Sequence, residues 1–294
     1  MKTKDIQKIK KRLLREELRR QGKTRKRTAL ILCSLLLVLL TAAAWTWYRV
    51  NQDDILETRF SQASELLNEG DYRGSLQRLE RLHREHPGFR HAADALFQSA
   101  EIYNNHLDEP RKALMRYLML ERDYPGYGQL PLVHRQVADI YKYQLEDHVL
   151  AISAYQKVLD GPVGQPDWIQ YEVADSYFRL NNFEQARIEF TSLLKNYPDS
   201  ELGPEVQFRI AVTYAVEGQL PEAEAAYRLV IEHWPDSSYA PEARFGLAAV
   251  LEEKEELQKA LDILEELENY GNPAVLQQKI DKIRTRIEKK EKAI

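Results

Sequence analysis

The chain has 294 residues, is 44% hydrophobic and 30% charged, and contains 12 glycines, 12 prolines and a single cysteine, Cys33. That excludes a disordered chain, a disulfide framework and a cysteine-built zinc site, and the few helix breakers lean towards helix. The net charge of −4 is uneven: residues 1–28 hold 13 Lys/Arg against three acids, a net of +10, so the remainder carries −14.

In chain order, the basic segment 1–28 comes first. Ile6, Ile9, Leu13 and Leu14 lie along one helical face among Lys and Arg, a pattern that suits anionic lipid headgroups. It lacks the interleaved aromatics of a nucleic-acid site, so no nucleic-acid partner is expected. Next comes ALILCSLLLVLLTAAAWTWY, Ala29 to Tyr48, with no charge. Twenty helical residues span about 30 Å, the hydrocarbon thickness of a bilayer. Trp45, Trp47 and Tyr48 gather at one end, where amphipathic rings favour the headgroup zone. Residues 29–50 therefore read as a single transmembrane helix with a cytoplasmic N-terminus, which places the rest outside the cytosol at the inner membrane. Ala42-Ala43-Ala44 also offers a cleavage site for a signal peptide, so a retained anchor and a removed leader both stay open.

The body, residues 55–273, repeats itself. Ala63, Ala100, Ala138, Ala174, Ala211 and Ala248 recur at steps of 36 to 38 residues. Large residues follow three later, and a nearly all-aromatic rung stands three before: Phe60, Phe97, Arg135, Tyr171, Phe208 and Phe245. A second small-residue ladder, Ser75, Ala113, Ala151, Ala186, Ala223 and Ala260, is followed four later by Leu79, Tyr117, Tyr155, Phe190, Tyr227 and Leu264. Small residues let two helix axes approach, and bulky ones at i+3 and i+4 fill the remaining volume. Gly70, Asn181 and Gly218 mark turns between the ladders, since they take the left-handed conformation that ends a helix. Pro87, Pro125, Pro198 and Pro235 close units, and the phrases YPDS and WPDS, with Pro204 and Pro241 after them, suit a cap and first turn of the next helix. Each unit is thus a helical hairpin.

These motifs resemble the tetratricopeptide repeat (TPR) family over residues 55–273, six repeats; the units carrying Tyr177, Ala186, Phe190 and Pro198, and Tyr214, Gly218, Ala223, Tyr227 and Pro235, match best. The third unit departs, with Gly161-Pro162-Val163-Gly164 in place of the closing proline and Arg135 on the aromatic rung. The extended joints resemble those of periplasmic TPR proteins, such as the Tol-Pal-associated coordinator and BamD-like assembly lipoproteins. The resemblance implies an all-α fold, a TPR superhelix (α-solenoid) preceded by the transmembrane helix. It also implies a concave groove, lined by the first helix of each repeat, that takes a protein or peptide partner. Carried over residue by residue, the groove holds Phe60, Phe97, Arg135, Trp168, Tyr171, Asp175, Phe178, Arg179, Phe208 and Phe245, with Glu242, Glu252 and Glu253 in the sixth repeat. Aromatic and arginine side chains dominate binding hot spots; an aromatic at helical spacing equally packs against its neighbour repeat.

Residues 274–294 carry an apolar stripe, Leu276, Ile280, Ile283 and Ile287, on a Lys/Glu-rich helix, which suits a cap over the open face of the last repeat. No catalytic constellation appears. Gly22-Lys23-Thr24 lacks the first glycine of a phosphate loop, and Pro87 breaks the geometry of His83, His86 and His91. The chain reads as a non-enzymatic scaffold without metal or cofactor that helps assemble or coordinate an envelope complex. A chaperone-like holder of newly exported chains is the alternative.

Overall fold

The computed structural model describes residues 3–161, 164–267 and 270–292, with side chains described for Lys11 and from Ser34 onward. The Pro162-Val163 part of the third joint, the side chains of the basic segment apart from Lys11, and the first five residues of the apolar segment lie outside that description. The described residues are helical throughout, and they form two compact units, residues 1–95 and 96–294.

In the first unit, α1 (Thr3–Asn68) runs unbroken from the basic segment into the repeats, and α2 (Tyr72–Glu85) folds back upon it. Leu35 to Leu40 on α1 stand 56–65% exposed, as do Trp45 and Trp47 at 61% and 63%. Among the described residues no helix is long and apolar enough to cross a membrane. The span read at 29–50 begins in residues whose side chains are not described.

α3 (Ala92–Asn105) bridges the two units in sequence. The second unit continues with α4 (Pro110–Asp123), α5 (Leu130–Asp139), a π-helical turn (Ile140–Gln144) and α6 (His148–Leu159). Then follow α7 (Pro166–Arg179) with α8 (Phe183–Asn196), α9 (Gly203–Val216) with α10 (Leu220–His233), α11 (Tyr239–Glu253) with α12 (Leu257–Glu265), and finally α13 (Pro273–Glu291). From α4 onward each helix packs on the next.

The ladders explain the packing. All the small rungs, from Ala63 to Ala260, are buried, and Leu79, Tyr117, Tyr155, Phe190, Tyr227 and Leu264 are buried beside them. Each such side chain contributes about 1.5–3 kcal/mol by leaving water. One apolar core runs from Ala174 through Ile283 across the last three hairpins and α13.

Every hairpin turns on one left-handed residue: Gly70, Asp108, Glu146, Asn181, Gly218 or Glu255, with φ between 52° and 85°. Glycine takes that conformation without strain, and asparagine and aspartate tolerate it; Glu146 and Glu255 do not have that freedom. The residue that follows opens the second helix. Asp71, Asp147 and Asn182 lie at or beside that start and accept from the backbone N–H three residues on.

The joints between hairpins share one backbone pattern. His86, Tyr124, Tyr197 and Trp234 each donate to the carbonyl four residues back and accept from the N–H three residues on, at Phe89, Tyr127, Ser200 and Ser237. Those four residues accept in turn from Ala92, Leu130, Gly203 and Ala240. The expected side-chain caps are absent here. Leu202 and Ser238 stand at the cap positions of α9 and α11 without a side-chain bond. Ser200 instead donates to Asp167 (2.6 Å) and Ser237 to the Trp234 carbonyl (2.9 Å). Backbone turns satisfy much of the helix starts, and the Ser200 Oγ also accepts from the Leu202 N–H at 3.3 Å, beside the start of α9.

Candidate functional site

The aromatic rung is built from the first helix of each hairpin, and every rung ring has an aromatic neighbour. In the first unit Phe60 stacks on His91, with ring centroids 4.9 Å apart. In the second unit Phe97 leans on Tyr117 and Tyr127, both at 6.1 Å. Tyr171 meets Phe190 at 5.8 Å, and Phe208 sits between Tyr227 (5.9 Å) and Tyr239 (5.7 Å). Phe245 stacks on Tyr270 at 4.6 Å. Each rung ring is half-buried, so one edge packs in the repeat and the other meets solvent.

Arg135, Trp168, Tyr171, Asp175, Phe178 and Arg179 come together across α5, α7 and α9, and the reason is charge. The π turn at the end of α5 carries Lys142, whose side chain is 2% exposed. Its ammonium pairs with the Glu172 carboxylate and with Asp175 Oδ2 at 2.7 Å. Tyr143 donates to the same Glu172 carboxylate at 2.5 Å, and Tyr155 donates to Asp139 Oδ1 at 2.6 Å. Arg179 donates to Asp175 Oδ2 at 3.0 Å. The Arg209 guanidinium lies 3.9 Å from Asp175 Oδ1 and 3.7 Å from Glu205, which accepts from Tyr171 at 2.5 Å. Asp175 Oδ1 is itself buried without a hydrogen bond.

Electrostatics follow from these positions. Burial opposes ionisation of Asp175, but hydrogen bonds from Lys142 and Arg179 outweigh it and hold the carboxyl below its usual range. At Asp139 burial prevails over the Tyr155 hydroxyl and Arg135, and the carboxyl is raised. Burial, reinforced by the carboxylate each hydroxyl faces, pushes Tyr143, Tyr155 and Tyr171 up, so all three remain protonated donors.

Glu172 and Asp175 lie inward, and Arg135 and Arg179 lie outward. The Glu172 and Asp175 side chains are 4% and 6% exposed, against 37% for Arg135 and 54% for Arg179. Two guanidiniums lie over rings: Arg135 is 4.3 Å from the Trp168 centroid, and Arg209 is 5.5 Å from Phe178. Such pairs are pre-ordered cations on apolar platforms.

The sixth repeat differs from expectation at Glu252. Its carboxylate is 6% exposed and is taken by α13: Lys279 pairs with it, Arg286 donates at 2.7 Å and Lys282 lies at 3.3 Å. Those hydrogen bonds overcome the cost of burial and hold its pKa down to about 2. Glu252 is therefore an anchor for the terminal helix and is closed to a partner.

Sequence reading missed Lys142, Glu172, Asp139, Glu205 and Arg209. Spacing alone did not mark them: Ala138 to Ala151 is thirteen residues, but so is Ala100 to Ala113, where the other four hairpins take twelve. In both, the added residue is absorbed by a wider turn, in which the Leu145 N–H reaches back to the Ile140 carbonyl and the Leu107 N–H to that of Ile102.

Residues 140–282 match the model of the tetratricopeptide repeat-like domain. The matched segment, just under half of the chain, is similar to that domain. It starts at the π turn and ends within α13. No curated protein sequence matches the chain. Among solved structures, a tetratricopeptide repeat protein from Parabacteroides merdae is similar with a TM-score of 0.50 and 18% identity, over 78% of this chain and 87% of that one. YrrB, described as a TPR protein with an unusual peptide-binding site, gives 0.45 and 19%, over 64% and 89%. PilW, described as a type IV pilus biogenesis factor, gives 0.45 and 16%, over 72% and 92%. The likeness to the Parabacteroides protein is one of fold: an all-α helical repeat.

Proposed function

We propose that the chain is a membrane-anchored, non-enzymatic scaffold whose TPR-like body holds a protein partner on the first-helix face of α5, α7 and α9. The observation that carries the reading is the set of guanidiniums ordered there, Arg135 over Trp168, a half-buried Arg209 over Phe178, and an exposed Arg179 tied to a buried Asp175. Pre-ordered arginine and aromatic side chains lose little freedom on binding, which is the character of an interface hot spot.

Membrane anchoring rests on the uncharged run Ala29–Tyr48, on the exposed leucines from Leu35 to Leu40 and on the aromatic cluster beside them. With the basic segment in the cytoplasm, the repeats lie on the extracytoplasmic side of the inner membrane. The extended PDS joints resemble those of the envelope proteins named above, the Tol-Pal-associated coordinator and the BamD-like lipoproteins, which supports a partner in an envelope complex. Intact-mass measurement of the native protein should find residues 1–44 retained; a mature N-terminus at Trp45 would reject the anchor.

A photo-crosslinking amino acid at Arg179 tests the face in cells. One defined protein should be captured, and capture should drop when Trp168→Ala and Phe178→Ala are added while helical circular dichroism is unchanged. A broad smear of unfolded exported chains would favour the chaperone-like holder instead.

A further inference from the structure

The first unit contains a basic cavity that the scaffold reading does not use. Between α1 and α2 lies a space of about 330 Å³, lined by Arg59, Gln62, Arg78, Arg81, Leu82 and Glu85. Three guanidiniums face one carboxylate, an excess of two positive charges. In the same unit Arg90 pairs with Glu57 at 2.6 Å, while Arg73 and Arg84, outside the cavity, have no ion pair among the described residues. Arg59 and Arg81 have no ion pair among the described residues, and the bond Arg78 makes is to the neutral Gln62 Oε1, at 3.1 Å.

We propose that this cavity binds a phosphate group. Guanidiniums from two helices, all solvent-exposed, line one space, and a tetrahedral phosphate offers oxygens to several forks at once. Buried Leu82 forms an apolar wall, which suits an ester carrying carbon substituents. Arg59 lies nine residues beyond Val50 on the same helix, about 14 Å along its axis. A lipid headgroup and a soluble phosphate offer the same chemistry. The phosphate assignment stands without the membrane reading; the lipid source rests on it.

Arginine modification tests this on the full chain in neutral detergent. Phenylglyoxal is applied with and without inorganic phosphate, and separately with and without phosphatidylglycerol in the micelle, and each arginine is followed by peptide mass mapping. Bound phosphate should slow modification of Arg59, Arg78 and Arg81 by about fivefold or more, while Arg73, outside the cavity, keeps its rate. Protection by phosphatidylglycerol alone assigns the headgroup source; protection by inorganic phosphate alone assigns a soluble one; protection by both supports the site with either source. No protection in either arm, or equal protection of Arg73, overturns the proposal. Glu85→Gln, which keeps every guanidinium, should lower the half-protecting concentration about twofold by removing the opposing charge; a value that does not fall also counts against the site.

Discussion

Lys142 in the third hairpin and Glu252 in the sixth occupy the same place in their repeats, four residues beyond the small residues Ala138 and Ala248. Both are buried charges, 3% and 5% exposed, and each is bonded across to the next helix in the stack. The polarity is reversed. Lys142 is held by the acids Glu172 and Asp175 of α7, whereas Glu252 is held by Lys279, Lys282 and Arg286 of α13. Between them, Phe178 and Ala215 fill the same register and pack against the apolar core. Apolar packing suffices to stack one hairpin on the next. The buried charges mark the two places where the neighbour must be one particular element, because a wrong register would leave an ion unpaired at a cost of several kcal/mol.

That comparison breaks most readily at Lys142. Lys142→Met keeps the volume but leaves Glu172 buried without a counter-charge and Asp175 with Arg179 alone within hydrogen-bond reach, and should destabilise the second unit by about 3–5 kcal/mol in urea unfolding. Adding Glu172→Gln and Asp175→Asn should recover most of that loss. A single variant that costs no more than a surface change would show that the charges do not lock the hairpins.

Glu252→Gln should cost about 2 kcal/mol and be felt chiefly by α13, whose amide protection is the measurement. Acid sharpens the same point. The carboxyl is held at about 2, below its ordinary 4.5, so its contribution is full above about 4.5 and is lost as pH falls towards 2. Hydrogen exchange of α13, corrected for intrinsic rates, should therefore accelerate between pH 5 and about 2.5, and Glu252→Gln should flatten that dependence.

The register of Glu172 offers a third test. In the sixth repeat that place is Gly246, where a Cβ would lie 2.6 Å from Cζ of the buried Tyr227 ring. Gly246→Ala should thus cost about 1.5 kcal/mol by forcing the ring aside, and Tyr227→Leu in the same chain should relieve the clash. The smallest effect has the opposite sign. Glu146 closes the third hairpin at φ 53°, where Gly70 and Gly218 close the first and fifth, so Glu146→Gly should stabilise by about 1 kcal/mol.

Most of the repeat was legible because its determinants are local and periodic. The small and large ladders state which face is buried, and Gly70, Asn181 and Gly218 state where the chain turns. Glu146 and Glu255 were not readable as turns, since nothing in a glutamate side chain announces a left-handed backbone; the surrounding helices impose it. The candidate site was legible in its aromatics and in Arg135, Arg179 and Asp175. Lys142, Glu172 and Arg209 were not, because a charged residue on a helix ordinarily faces water, and burying one requires a partner some thirty residues away that no single-helix pattern contains. Glu252 was assigned to the groove for the same reason: its partners on α13 are invisible until the terminal helix is placed.

The continuity of α1 has a mechanical consequence. From the exposed leucines to the turn at Gly70 the chain has no hinge, so the azimuth of the first hairpin is geared to that of the apolar segment by the helical screw. One residue inserted between Val50 and Arg59 would turn α2 by about 100° and advance it about 1.5 Å; seven would return it almost to its starting azimuth, about 10 Å further out. An insertion series through that stretch would read out as a rotating dial. Any contact the first hairpin makes with a fixed surface should be lost and regained with the period of the helix.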